Sequence, residues 1–282
     1  MNPDLSTYLQ CPKCGDALHS DADRIECSKC GHRARVVNGI PHFSEVPADV
    51  LPEHTRHSPT DQGKWTHWRR INHAYIADVV GVQPPGVLAI DVGAGESPFR
   101  DLLARYPRCL CLDFYPYEGI DVVCNLTQKL PVRSGIADMV LLSNVLEHMS
   151  EPEATLQECG RLLRPGGQLV LTVPFLTKTH QPPYDYYRYT HYGLEYLLGK
   201  AGFSQIEVKP LGDLFEVQHS INIATGRLVK RLRNPILRLC ARGALSAMRL
   251  SMRLLMKLCR LGGSDTTYKM GLVKGFGCVA RK

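Results

Sequence analysis

The chain has 282 residues, 44% of them hydrophobic and 22% charged, which is a globular rather than a disordered composition, with room for one large domain and a small accessory unit. Its net charge of +7 is uneven: Arg227 to Leu261 holds ten Lys or Arg and no Asp or Glu, so the remainder carries −3 and an acidic partner would have to meet that one segment. Met1-Asn-Pro-Asp-Leu-Ser lacks the basic start and apolar stretch of a secretory signal, which argues against export and sets the expectation of a cytoplasmic protein.

Residues 1–45 are punctuated by Cys and Gly and have no helical period. Cys11-Pro-Lys-Cys14 and Cys27-Ser-Lys-Cys30 form two Cys-x2-Cys knuckles twelve residues apart, followed by Gly15 and Gly31. Four thiolates at this spacing can close a tetrahedron around Zn²⁺ with no open position, so the predicted zinc ribbon is structural, and the metal replaces a missing core. His19 and His32 are surplus to a site already filled. The odd total of eleven cysteines fits metal ligation and reduced thiols better than a disulfide framework. Residues 46–84 form a linker and an N-terminal helix: Pro41, Pro47, Pro52 and Pro59 mark an extended connector, and Trp65 to Val80 is expected as a helix across the mouth of the next domain.

From residue 85 to 282, β-rich and helical runs alternate. Strands are expected at Val87–Val92, Cys109–Asp113, Asp121–Leu126, Ala137–Ser143, Gln168–Phe175 and Gln205–Leu211, and a last one at Leu272–Arg281. Helices are expected at Phe99–Arg105, Glu153–Leu163 and Gly193–Ala201, with a turn at Leu163-Arg-Pro-Gly-Gly and a basic helical insertion over 213–265. The alternation predicts an α/β, doubly wound, mostly parallel sheet.

Val87 to Val92 runs directly into Gly93-Ala-Gly95-Glu-Ser-Pro98, a junction that lets a ligand approach the backbone at the C-terminal edge of the sheet. Ser97 is placed to cap the next helix with Pro98 at its first position, Asp91 ends the strand, and Asp113 ends the next one, where a carboxylate can accept from both ribose hydroxyls. A dinucleotide site would want Gly where Pro98 stands, and Pro has no amide to offer a pyrophosphate.

Asp91-Val-Gly-Ala-Gly95, Asp113, the run Ala137 to His148 and Leu163-Arg-Pro-Gly-Gly-Gln-Leu-Val-Leu-Thr-Val-Pro174 together resemble the class I S-adenosylmethionine-dependent methyltransferases, in the same order. The resemblance covers about residues 85–211 and the final strand. It implies a Rossmann-like seven-stranded sheet whose last strand is antiparallel, and S-adenosylmethionine as cofactor. Gly93 and Gly95 would then face its methionine part and Asp113 its ribose. Asn125, where the family often has an acid, would accept from the adenine amino group beside the Leu126 amide. Ser143 and Asn144 would point towards the sulfonium. Glu147 and His148 either cap the following helix or act at the acceptor.

The loop His180-Gln-Pro-Pro-Tyr-Asp-Tyr-Tyr-Arg-Tyr-Thr190 reads as an aromatic lid with polar tips. His180 is the candidate base, Asp185 its orienter and Arg188 a hydrogen-bond or anion clamp; an Asp185–Arg188 pair that only staples the loop is the plainer alternative. Methyl transfer to oxygen of a small-molecule, glycan or lipid-linked acceptor is the leading expectation, by in-line displacement. An RNA methyltransferase and a cofactor-binding scaffold without turnover are the alternatives. Arg238, Arg242, Arg249, Arg253, Lys257 and Arg260 share one helix face, the pattern of a peripheral anchor on an anionic membrane at its inner face. A solvated cationic face and RNA binding are the competing readings of the same segment.

Overall fold

The computed structural model describes residues 3–21, 23–44, 65–81, 88–96, 98–104, 106, 108–263 and 272–282. The connector prolines Pro47, Pro52 and Pro59, and Ser97, lie outside these residues. The described chain forms one continuous sheet, flanked by helices.

The N-terminal module comprises β1 (Leu18–Ser20), β2 (Arg24–Cys27), β3 (Arg33–Val37) and β4 (Ile40–His42), an antiparallel meander. Val37 and Ile40 pair across a two-residue Asn38-Gly39 turn with φ of 51° and 80°, the left-handed pair that matches the twist of a hairpin. Pro41, read from sequence as part of the connector, lies in β4 instead. Its partner is Val36, the next pair out from the turn-closing Val37–Ile40 pair, where an antiparallel ladder does not need an N–H aimed at β3. Cys11 Sγ lies 3.5 Å from Cys30 Sγ, and Cys14 Sγ 3.4 Å from Cys27 Sγ. The Gly15 and Gly31 amides turn back onto the Cys11 and Cys27 carbonyls.

After α1 (His67–Gly81) come β5 (Leu88–Val92), α2 (Arg100–Leu103), β6 (Arg108–Asp113), β7 (Val122–Val123), β8 (Ala137–Ser143), α3 (Pro152–Leu162) and β9 (Leu163–Pro174). They are followed by α4 (His191–Lys200), β10 (Ser204–Leu211), α5 (Leu214–Lys230), α6 (Pro235–Leu261) and β11 (Gly275–Arg281). The sheet order is β1-β2-β3-β4-β7-β6-β5-β8-β9-β11-β10. β5 to β9 pair in parallel, and β11 runs antiparallel to both β9 and β10. The meander joins the edge of this Rossmann-like sheet through His42 and Val123. Because β5, β8 and β9 are covered on both faces, they read as unbroken apolar runs rather than as alternating ones.

Three expected boundaries move. α2 begins at Arg100 with Phe99 at its N-cap and no side-chain cap bond, so Pro98 precedes the helix instead of opening it. β7 ends at Val123 rather than Leu126, because Asn125 turns its side chain onto the Thr127 amide and ends the ladder there. The Leu163-Arg-Pro-Gly-Gly turn is an exposed excursion inside β9: Ala137 pairs Leu163, the register shifts, and pairing resumes at Met139 with Gln168.

The basic segment forms two helices instead of one. Asn234 accepts from the amides of Ile236 and Leu237, and Pro235 opens α6, so the expected helical insertion is two helices, with Arg238, Arg242, Arg249, Arg253, Lys257 and Arg260 all in the second. α6 packs on α5 through a stripe including Leu245, while Ile236, Leu239, Leu250, Leu254, Leu258 and Leu261 are exposed. Among the described residues, no helix is long and apolar enough to cross a membrane.

Candidate active site

The parallel strands β5 and β8 end at the same edge, and a cavity of about 800 Å³ opens there, walled by α1 on one side and α5 on the other. Asp91, Gly93, Gly95, Ser143, Asn144, His148 and His180 line it. Gly93 has φ of 77°, and a Cβ there would overlap the Val145 side chain. Only glycine fits, which keeps the loop backbone open towards the cavity. A Cβ on Gly95 would meet nothing within 4 Å.

Asp91 is 2% exposed, and among the described residues its Oδ2 has no hydrogen-bond partner. Burial, together with the negative charge of Asp113, pushes its carboxyl up to about 7. Asp113 accepts from the Gly95 amide at 2.8 Å and the Tyr115 amide at 2.9 Å, so it also shapes the glycine loop. Burial raises its pKa to about 6 against those two bonds. Asp113 does not line the cavity, and neither do Asn125 and Leu126. Asn125 Oδ1, expected to accept from an adenine amino group, already accepts from both N and Oγ1 of Thr127 at 3.0 and 2.8 Å, which uses its two lone pairs.

At the end of β8, Ser143 Oγ lies 2.8 Å from Thr172 Oγ1, and Asn144 Nδ2 donates to Ser143 Oγ at 3.1 Å. Asn144 is left-handed, with φ of 54°, and accepts from Trp68 Nε1 at 2.7 Å. That bond ties α1 to the strand end, so the helix does lie at the mouth of the site. Two residues missed in the sequence also belong here. Lys274, immediately before β11, is 6% exposed, donates to Ser220 Oγ at 2.9 Å and lines the cavity; burial lowers its pKa. Asn72, from α1, is 1% exposed and reaches the same space. Nothing in their sequence neighbourhoods marks either one.

The 176–190 loop folds back over Glu147. The amides of Tyr186 and Tyr187 both donate to the Glu147 carbonyl, and Tyr189 Oη donates to the Leu146 carbonyl. Asp185 and Arg188 form a bidentate pair, 2.7 Å at both contacts, and Asp185 Oδ2 accepts from the His180 amide. The guanidinium holds the Asp185 carboxyl down at about 2. This pair therefore staples the loop, and through it His180 is placed: His180 Nδ1 lies 3.5 Å from Asp185 Oδ2, and its Nε2 3.6 Å from Glu147 Oε1. Arg188 turns onto Asp185 and the loop carbonyls, and it does not line the cavity. His148 Nε2 is 3.7 Å from the same Glu147 oxygen.

Comparison with known proteins identifies the segment that carries this edge. Residues 90–171 match the methyltransferase domain family. That match spans 82 of the chain's 282 residues. It is 26% identical over 119 residues to a malonyl-[acyl-carrier protein] O-methyltransferase of Methylococcus capsulatus, covering 37% of this chain and 43% of that one. It is 33% identical over 82 residues to a ubiquinone biosynthesis O-methyltransferase of Parvibaculum lavamentivorans, covering 29% and 30%. The chain thus spans less than half the length of these curated relatives. Among solved structures, a SAM-dependent methyltransferase from Archaeoglobus fulgidus is similar at TM-score 0.49 and 14% identity, over 76% of this chain and 94% of that one. The matched methyltransferase domain runs from β5 to β9, so α1, the lid loop and α5 to β11, which close the cavity, lie outside it.

Proposed function

We propose that the protein transfers a methyl group from S-adenosylmethionine to an oxygen of a small-molecule, glycan or lipid-linked acceptor. The single observation that carries this reading is the continuity of the cavity from the glycine loop to His148 and His180. The residues at its inner end fit the cofactor. Gly93 takes a left-handed conformation packed against Val145 that puts its backbone at the cavity edge, and the buried Asp91 Oδ2 is a ready acceptor for an ammonium group. When bound, S-adenosylmethionine supplies an electrophilic methyl on a sulfonium. Asp91, Gly93 and Gly95 would hold its methionine part, with Asp113 behind the loop and Ser143 and Asn144 at the adjoining strand end.

The chain's own contribution to the reaction is positioning, exclusion of water and removal of a proton. α1, α5 and the loop residues Lys178, His180 and Gln181 enclose the acceptor end, whereas Tyr184, Tyr186 and Tyr187, expected as an aromatic lid, are exposed and do not line the cavity. His180 faces the cavity as candidate base, positioned by Asp185 and Arg188, while His148 sits beside it with the ring centroids 4.8 Å apart. The two relatives named above are O-methyltransferases, which supports oxygen as the accepting atom. The experiment is a labelled-methyl assay on cell extract separated into lipid, glycan, small-molecule and RNA fractions. Label in the first three, with kcat lowered about 100-fold or more in H180A at unchanged cofactor affinity, is expected. Label in RNA instead would favour the base-methylation alternative, and cofactor binding without label in any fraction would favour a non-catalytic scaffold.

A second reading concerns the site of action. α6 carries its exposed leucines beside the cationic face of Arg238, Arg242 and Arg253, with no acidic residue along the helix. We infer that it rests on an anionic membrane surface, which would bring a lipid-linked acceptor to the cavity. Cosedimentation with anionic vesicles at low salt, lost in a Leu250→Glu/Leu254→Glu double variant, is expected; a protein that stays in the supernatant would exclude the anchor.

For the N-terminal cluster, four thiolates with no free position favour structural Zn²⁺ held by Cys11, Cys14, Cys27 and Cys30.

A further inference from the structure

Glu147 is the most anomalous polar side chain at the site. It is fully buried, and among the described residues neither carboxylate oxygen has a hydrogen-bond donor. Its neighbours are His148 Nε2 at 3.7 Å and His180 Nε2 at 3.6 Å, beyond the reach of an N–H···O bond. His148 Nε2 is itself buried and unpartnered. A buried carboxylate left this way costs stability unless something else neutralises it.

Both imidazoles are held from behind. His148 Nδ1 lies 2.6 Å from the Tyr184 carbonyl, so it carries the proton and leaves the Nε2 lone pair aimed at Glu147. His180 Nδ1 lies 3.5 Å from Asp185 Oδ2 and 3.4 Å from Arg188 Nη2; with the Nδ1 proton towards the carboxylate, its Nε2 lone pair is turned to Glu147. Backing of ligand imidazoles by a carbonyl or a carboxylate is how protein metal sites fix tautomer and orientation. The three ligand atoms lie within 4.8 Å of one another. Ligands at a metal–nitrogen distance of about 2.1 Å stand about 3.4 Å apart in a tetrahedron, so the 3.6 and 3.7 Å separations need only a small closure.

We propose that Glu147, His148 and His180 bind a divalent transition-metal cation at the acceptor end of the cavity. The donor set of two imidazoles and one carboxylate favours Zn²⁺, Fe²⁺, Co²⁺ or Mn²⁺ over Mg²⁺ or Ca²⁺, which prefer oxygen alone. His148 and His180 both line the cavity, so an acceptor there would stand next to the cation. The ligand class this suits is an acceptor hydroxyl with a second oxygen beside it, able to chelate. A metal-bound hydroxyl loses its proton to solvent more readily, and with the cation in place the two histidines are ligands, so activation of the acceptor passes from His180 to the metal. This role rests on the methyl-transfer reading; the binding site itself does not.

The test uses the full chain with its cysteine cluster filled by zinc, titrated with Co²⁺ and followed by visible absorption. One Co²⁺ per chain is expected, without the thiolate charge-transfer band that occupation of the cysteines would give. Binding is expected to weaken at least about 10-fold in both E147Q and H180A, and to persist in Y192A on the far side of α4. Thermal melts check folding; His180 is the more exposed of the two, so H180A decides if E147Q is unstable. No cobalt binding beyond the cysteine cluster, or binding unchanged in H180A, would overturn the proposal. Calorimetric binding of S-adenosylmethionine by the same samples separates the two ideas: lost cofactor binding with retained cobalt sinks the methyltransferase reading alone, and the reverse sinks the metal site alone.

Discussion

Asp91 is the residue whose environment departs furthest from its sequence neighbourhood. A carboxyl at the end of a buried strand, with no donor on Oδ2 and a second acid nearby, is protonated more readily in the folded chain than in the unfolded one. The folded value is about 7 against an ordinary 3.8, so between these pH values the folded state binds the extra proton. Stability from this group is therefore full below about pH 4 and falls as pH rises to about 7. Asp91→Asn should remove that slope and raise Tm at pH 8 relative to the parent, while weakening S-adenosylmethionine binding. A melting series that keeps the same pH slope in the variant would show that Asp91 is not its source. At this scale the four cysteines and the glycine loop were legible, because each needs only one residue type at one spacing. Glu147 was weighed only as part of a helix cap or an acceptor contact. Its isolation from donors depends on where the 176–190 loop lands.

At the scale of elements, the best-read ones were those with a strong local pattern. β5, β8 and β9 are long apolar runs, and α3 and α4 have regular amphipathic spacing. Where the strand expectation failed, a local side-chain bond overrode the pattern, as Asn125 does at the end of β7. The Asn38-Gly39 hairpin was a readable signal that went unread. That α1 lies across the mouth was expected, but which residues seat it on the sheet was not readable. Gly275 and Gly277 in β11 leave space that Trp68 and Tyr75 of α1 fill, and a Cβ at either position would overlap those rings. Gly277→Val should thus destabilise the fold by about 1–3 kcal/mol through overpacking. Because α1 also carries Trp68 to Asn144, cofactor affinity should drop with it. A urea midpoint within error of the parent would mean that α1 is not seated on β11.

On the scale of the whole molecule, the cysteine module is not an appendage. Leu5 and Leu9 share the main core with Leu130 and Val132, and the Gln10 and Arg133 amides cross-link the two parts through Pro131 and Tyr8. Loss of the metal should therefore be felt beyond the first 44 residues. Removing zinc with a chelator, or C14S, is expected to lower Tm by at least about 5 °C, with about one zinc released per chain. A chelated protein with an unchanged melting curve would make the cluster incidental to folding. The sequence by itself determined the strand and helix alternation, the cysteine knuckles and the glycine loop, because each is written in spacing along the chain. Only the tertiary structure decided what surrounds that loop. It buried Asp91 with its Oδ2 unpartnered among the described residues, seated α1 across the cavity, and brought Glu147, His148 and His180 to one point. Those are outcomes of loop path and helix packing between residues far apart in the chain, which no local spacing encodes.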